Sequence, residues 1–234
     1  MRLTKHHGLG NDFLVHVDPQ GPGPTTAELA RAVCDRRTGI GADGLLTVTP
    51  GAGPDHVRMA LHNADGGRAE MSGNGISCLA QAVVRADLVE GPAIRVATDV
   101  GERTVEVRPT DDALTHLATV DFGAVKAGVE APEWLGDGVQ AARFADAGNP
   151  HLVLHAPSAD DGPDLVSVGE RANRTVPGGI NVEVIRRTPA GLHLDVYERG
   201  AGITRACGTG AAAAAVVASD WGLVDDRVDV AMPG

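Results

Sequence analysis

The feature that most restricts how this chain can fold is a repeat within it: a segment around Ser72 and one around Cys207 align without a gap. They read Ser72-Gly73-Asn74-Gly75 and Cys207-Gly208-Thr209-Gly210. Each runs on into an apolar, alanine-containing stretch, as far as Leu88-Val89 in one copy and Leu223-Val224 in the other. Each is preceded at the same distance by an alternating strand pattern, Val57 to Leu61 and Leu192 to Val196, that ends in a turn. One αβ unit used twice predicts two halves of like construction, and a chain of 234 residues has room for two cores. We place the halves at residues 1–121 and 122–234. After the matched segments the copies diverge. The first continues through Ile94-Arg95-Val96 and Thr104-Val105-Glu106-Val107 to Val120, whereas the second stops soon after Val228 to Met232, so the expectation is a second half truncated at its C-terminus.

Composition limits what fills those cores. Hydrophobic residues at 43% and charged ones at 22% are ordinary globular usage, while aromatics are only 3% and glycines number 31. Cores built from Ala, Val and Leu on many short strands suit those figures. Phe13 to Val17, Leu45 to Val48 and Val57 to Leu61 read as strands. Thr25 to Arg36 reads as a helix, with Thr25 and Glu28 forming a capping box and Leu29 and Val33 sharing one face.

A net charge of -11 opposes nucleic acid or an anionic membrane surface as the main partner. The longest apolar stretch, Ala211 to Ala218, cannot span a bilayer, and no signal-peptide run opens the chain, so the protein reads as cytoplasmic. Cys34, Cys78 and Cys207 form neither a disulfide framework nor a zinc pattern, and Cys34 and Cys78 read as packing residues.

A side chain set just before Gly-x-Gly and a helix stands at the helix N-terminus, where unpaired N–H groups and the dipole favour negative charge. That field predicts a lowered thiol pKa for Cys207 and a site that holds a carboxylate. Two such sites in pseudo-twofold halves would point two proton carriers at one carbon from opposite faces, the geometry that inversion needs. Asn11, Asn63, Asn149, Asn181 and the Glu198-Arg199 pair fall where they can line such a cleft, although each asparagine taken alone reads equally well as a turn former. Asn63 and Glu198 stand at the same distance before Ser72 and Cys207.

The chain resembles the diaminopimelate epimerase family through six stretches: His7-Gly8-Leu9-Gly10-Asn11-Asp12-Phe13, Arg37 to Gly44, Asn63-Ala64-Asp65-Gly66, Gly73-Asn74-Gly75, Gly148-Asn149-Pro150-His151, and Glu198-Arg199-Gly200 through Cys207-Gly208-Thr209-Gly210. The resemblance implies an α/β fold of two pseudo-symmetric domains, each a curled, mainly antiparallel β-sheet or barrel around a central helix, and a homodimer. It implies interconversion of LL- and meso-diaminopimelate, for lysine and peptidoglycan, with no pyridoxal phosphate, metal or other cofactor. In that pattern residue 72 and Cys207 are the proton carriers, and His151 and Glu198 tune them. Gly73, Asn74, Gly208 and Thr209 hold the reacting carboxylate, while Asn11, Asn63, Asn149, Asn181, Glu198 and Arg199 contact substrate. The family carries cysteine at position 72, and Ser72 departs from it. A hydroxyl is a far weaker acid than a thiol, so proton removal by Ser72 is expected to be slow. The related hydroxyproline epimerase branch includes serine at a carrier position. Three readings follow: an active epimerase of diaminopimelate, a racemase or epimerase of another amino acid or hydroxyproline, and a non-catalytic amino-acid binder.

Overall fold

The computed structural model describes residues 1–21, 25–158 and 161–234. They form two compact units, Met1–Asp121 and Phe122–Gly234. The first contains β1 (Thr4–Gly8), β2 (Asn11–Val17), α1 (Ala27–Cys34), β3 (Gly44–Pro50), β4 (His56–Asn63), β5 (Arg68–Ala69), α2 (Gly73–Arg85), β6 (Ala93–Thr98), β7 (Gly101–Pro109) and β8 (His116–Asp121). Its sheet runs β1-β2-β3-β4-β6-β7-β8, with β5 pairing β4, and only the β2–β3 and β4–β6 pairs are parallel.

The second unit contains β9 (Lys126–Glu130), a 3-10 turn (Pro132–Trp134), β10 (Ala141–Asp146), β11 (Pro150–His155), α3 (Leu165–Thr175), β12 (Asn181–Thr188), β13 (Gly191–Glu198), β14 (Gly202–Thr204), α4 (Gly208–Asp220) and β15 (Asp229–Ala231). Its sheet runs β14-β13-β12-β11-β10-β9, with β15 parallel to β13. The repeat read from the sequence is thus a repeat of structure. Strands β4 and β13 are each 8 residues long, helices α2 and α4 are each 13, and each helix follows its strand through a short hairpin.

Period-two alternation sends the strand side chains to two different helices. In the first unit Val15, Leu46, Val48, Val57, Leu61, Ile94, Val96 and Val105 pack with Ile76, Leu79 and Val83 of α2, while Leu14 and Leu45 join Ala30 and Cys34 of α1 on the other face. In the second, Val153, Ile185, Leu192, Leu194 and Val196 pack on Ala213, Ala214, Val217 and Ala218 of α4, and Leu152, Leu154, Val182 and Val184 face Ala172 of α3. Helix α2 meets β1, β2, β3, β7 and β8, and α4 meets β9 through β13, so each sheet curls around its own central helix. In α4 the small side chains of the Ala211–Ala215 run, with Ala213 and Ala214 buried, let the strands come close. Helix α1 is shorter than the pattern predicts: its cap is Thr26, whose hydroxyl accepts from Leu29 N–H at 3.2 Å, in place of Thr25.

Two ion-paired carboxylates fasten the loops at the start of the first unit. Asp12 meets Arg36 at 2.6 Å and Lys5 at 3.0 Å, and Arg36 also reaches Asp43 at 2.7 Å. Burial acts to raise the Asp12 carboxyl, but the two cations together hold it well below the usual carboxylate range. A depressed carboxyl adds stability that is complete above its unfolded pKa and is lost as pH falls through the folded one. Asp12→Asn is expected to lower the unfolding free energy by roughly 1–3 kcal/mol at neutral pH. That difference should shrink once pH drops below about 4, as measured by denaturant unfolding at several pH values. An Asp12→Asn penalty that stays constant down to strong acid would contradict this account.

Candidate active site

In the first unit Ser72 is the N-cap of α2. Its extended backbone, φ -143° and ψ 124°, aims the side chain back over the helix, where Oγ accepts from Gly75 N–H at 3.0 Å. Gly73 and Asn74 supply the next two N–H groups of that open end. Asn74 Nδ2 donates to Asn11 Oδ1 at 3.3 Å, and Asn11 Nδ2 in turn donates to Asp43 at 2.7 Å. Asn11 follows Gly10, which turns the chain at a φ of 85° that favours glycine. The structure therefore joins Asn11 to the helix start through Asn74, an arrangement in which Asp43 was not foreseen. Asn63 ends β4 opposite Gly44, and its backbone closes the following turn, with Asn63 N–H to Gly67 O and Gly66 N–H to Asn63 O both at 2.8 Å. An open depression of about 440 Å³ lined by Lys5, His6, His7, Gly10, Asp12 and Arg36 lies in this unit and does not include Ser72.

The second unit repeats the plan with different chemistry. Cys207 is the N-cap of α4; Gly210 N–H points to its sulfur at 3.4 Å, and the Thr209 hydroxyl shares a hydrogen bond with that sulfur, also at 3.4 Å. Gly208 begins the helix, and Thr209 and Gly210 are buried with Cys207. Glu198, at the end of β13, accepts from the Thr204 hydroxyl at 2.5 Å. Asn181 begins β12 and takes the Arg199 backbone N–H on its Oδ1 at 2.8 Å, while the exposed Arg199 guanidinium reaches Gly178 O. His151 is wholly buried between two partners, Glu183 Oε1 at 2.7 Å from Nδ1 and Asn149 Oδ1 at 2.9 Å from Nε2.

Glu183 was missed by sequence reasoning, although a signal was present: a glutamate inside the apolar run Asn181 to Ile185 of a strand buried along that length. Gly210 lets it approach α4, since a Cβ there would lie 2.6 Å from Glu183 Oε1 and 3.3 Å from Cys207 Sγ. Among the described residues, no group of His, Cys, Asp and Glu is arranged to hold a metal ion.

The expectation of a lowered Cys207 pKa is corrected by the structure. Burial of the thiol, then Glu198 and Glu183 nearby, push it well above the ordinary range, and the opposing pull of Thr209 and Gly210 N–H is outweighed. The Gly210 N–H at the helix start pulls in the direction the motif implies, but it does not offset desolvation of the buried sulfur together with the two carboxylates. Cys34 and Cys78 are also raised by burial, to about 11 and about 12. The ligand-free chain is therefore expected to hold all three cysteines as thiols at pH 8. Thiolate absorbance followed through a pH titration should rise only under strongly alkaline conditions, and a cysteine that titrates near neutrality would refute this.

Comparison with known proteins agrees with this arrangement. The model of the family described as diaminopimelate epimerase matches residues 3–127 and 143–234. A diaminopimelate epimerase of Thermobifida fusca is 38% identical over 248 residues, spanning 100% of this chain and 88% of that protein. One of Microcystis aeruginosa is 37% identical over 254 residues, spanning 99% and 88%. Among solved structures, a hydroxyproline epimerase from Agrobacterium vitis with bound trans-4-hydroxy-L-proline shares the fold with a TM-score of 0.67 at 16% identity, over 95% of this chain and 78% of that one. Motifs, fold and relatives agree, and this chain belongs to the diaminopimelate epimerase family.

Proposed function

We propose that the protein is an isomerase that interconverts LL- and meso-diaminopimelate by moving a proton at the α-carbon, with Ser72 and Cys207 as an unequal pair of carriers and no cofactor. The observation that carries this reading is the matched pair of helix starts. Each central helix opens on a side chain able to handle a proton, followed by Gly-x-Gly and the first N–H groups of the helix, a setting suited to a carboxylate. Gly73 with Asn74 and Gly208 with Thr209 would hold the reacting carboxylate. Asn11, Asn63, Asn149, Asn181 and Arg199 would recognise the remaining polar groups of a substrate charged at both ends. We take the working form to be a cytoplasmic homodimer, which light scattering of the purified protein tests.

The two carriers differ in what they can do. Cys207 rests as a thiol, raised by burial and by Glu198 and Glu183. A substrate ammonium group near Glu198 would neutralise one of those charges and bring the thiolate within reach, so that Cys207 can remove a proton from its face. Ser72 gives a proton from its hydroxyl more readily than it takes one. In deuterated water the stereoisomer whose α-hydrogen faces Cys207 is therefore expected to pick up deuterium faster than it inverts. Ser72→Cys should speed inversion by roughly 10²–10⁴-fold. Mass spectrometry and chiral separation of the products measure both, and absence of deuterium in either isomer with both proteins would sink the assignment.

Ser72 itself favours one further reading, a binder of amino acids that does not turn them over. Tight binding of diaminopimelate without exchange, with activity appearing only in Ser72→Cys, would select it. A panel including hydroxyproline separates both readings from an epimerase of another substrate.

A further inference from the structure

The two units can be aligned by their strand registers. In the first, Phe13 is the parallel neighbour of Gly44, which pairs with Asn63. In the second, His151 is the parallel neighbour of Asn181, one step beyond the Val182–Tyr197 pair and so level with Glu198. Asn11 and Asn149 lie two residues before Phe13 and His151, each after a glycine of positive φ, Gly10 at 85° and Gly148 at 90°. Leu46 and Glu183 lie two residues after Gly44 and Asn181. The virtual Cβ contacts agree: Gly75 faces Ser72 and Leu46, and Gly210 faces Cys207 and Glu183. So the second unit has His151 and Glu183 where the first has Phe13 and Leu46, and all four are buried.

The fold therefore contains its own control. A buried ionisable pair costs desolvation, and apolar residues of similar volume at such a place are commonly neutral or better for stability. The first unit is built with the apolar pair, so packing does not call for His151 and Glu183. Their hydrogen bonds are specific. Asn149 Oδ1 can only accept, so His151 Nε2 carries a hydrogen. One proton between Nδ1 and Glu183 Oε1 satisfies the other bond. Oε2 of Glu183 is buried with no hydrogen-bond partner among the described residues, so the carboxyl is committed through a single oxygen.

We propose that Glu183 is a positioning residue that acts through His151: by engaging Nδ1 through one shared proton it leaves Nε2–H to donate to Asn149 and fixes which end of that amide faces the ligand. With its oxygen taken by the ring, Asn149 presents its NH₂ end as a donor. The inference rests on the reading of Asn149 as a substrate contact. It assigns the relay Glu183, His151, Asn149 to the Cys207 half alone, because Asn11 has a phenylalanine, Phe13, at the place of His151.

Three variants test it: Glu183→Gln, Glu183→Leu, and the double change His151→Phe with Glu183→Leu, which copies the first unit. Glutamine can donate to Nδ1 and keep Nε2–H in place, so nitrogen NMR of ligand-free protein should show His151 protonated at Nε2 in the parent and in Glu183→Gln, and altered in Glu183→Leu. With diaminopimelate, Glu183→Leu should raise KM for α-proton exchange roughly tenfold, the factor expected of one misdirected buried hydrogen bond. The change in kcat should be smaller, and Glu183→Gln should stay within about threefold of the parent. The double variant should resist unfolding at least as well as the parent while keeping the raised KM. An unchanged His151 signature in Glu183→Leu, a parental KM in that variant, or equal damage from glutamine and leucine would overturn the assignment. If the parent protein exchanges no diaminopimelate, the proposed function fails, while the ligand-free spectra still decide whether Glu183 sets the state of His151.

Discussion

Each central helix begins against the sheet that curls around it, and its first N–H groups are out of reach of the helix's own carbonyls. At an exposed helix end water would satisfy them. Here the chain must bring acceptors of its own, and it does so first with the side chain that caps the helix, Ser72 Oγ for α2 and Cys207 Sγ for α4. What surrounds those caps follows from that requirement. Glycines leave room at Gly75 and Gly210, and polar side chains arrive from β2, β11, β12 and β13. A carboxylate ligand answers the same need, so the demands of folding and of binding fall on the same N–H groups.

The two units answer that demand unequally. Around Ser72 the buried residues at the level of the cap are apolar, Phe13 and Leu46, and polarity is confined to the chain Asn74, Asn11 and Asp43. Around Cys207 a histidine and a glutamate are sealed into the core, and a second glutamate, Glu198, ends the neighbouring strand. A repeated backbone therefore carries two different electrostatic environments. The unit whose cap is a thiol also has the buried ionisable residues, and this is where local and global preferences conflict in a way that packing alone does not explain.

Much of the architecture could be read from the sequence because its signals are local. The offset between Ser72 and Cys207, the apolar runs behind them and the alternating strands before them all depend on neighbours within a few residues, and the structure returns α2, α4, β4 and β13 at those places. The cap of α1 was misread by one residue, Thr25 for Thr26, because both threonines can cap and only the loop geometry selects between them. Asn63 and Glu198 share an offset legible in the sequence, and the Asn63 backbone closes the turn after β4. Glu183 was passed over since a lone glutamate in a valine strand carries no motif, and its partner His151 comes from a different strand.

By itself the sequence determined that two strand–turn–helix units exist and which side chain begins each helix, because period, glycine placement and capping act along the chain. Only the tertiary structure decided the direction in which the Cys207 thiol is shifted and the company of His151. Desolvation and Coulomb fields depend on what is packed close in space, and Glu183, Glu198 and the sheet that seals the sulfur reach it from separate strands. A motif can state that a thiol stands in the field of a helix, but the folded protein sets how much opposing charge and how little water stand there with it.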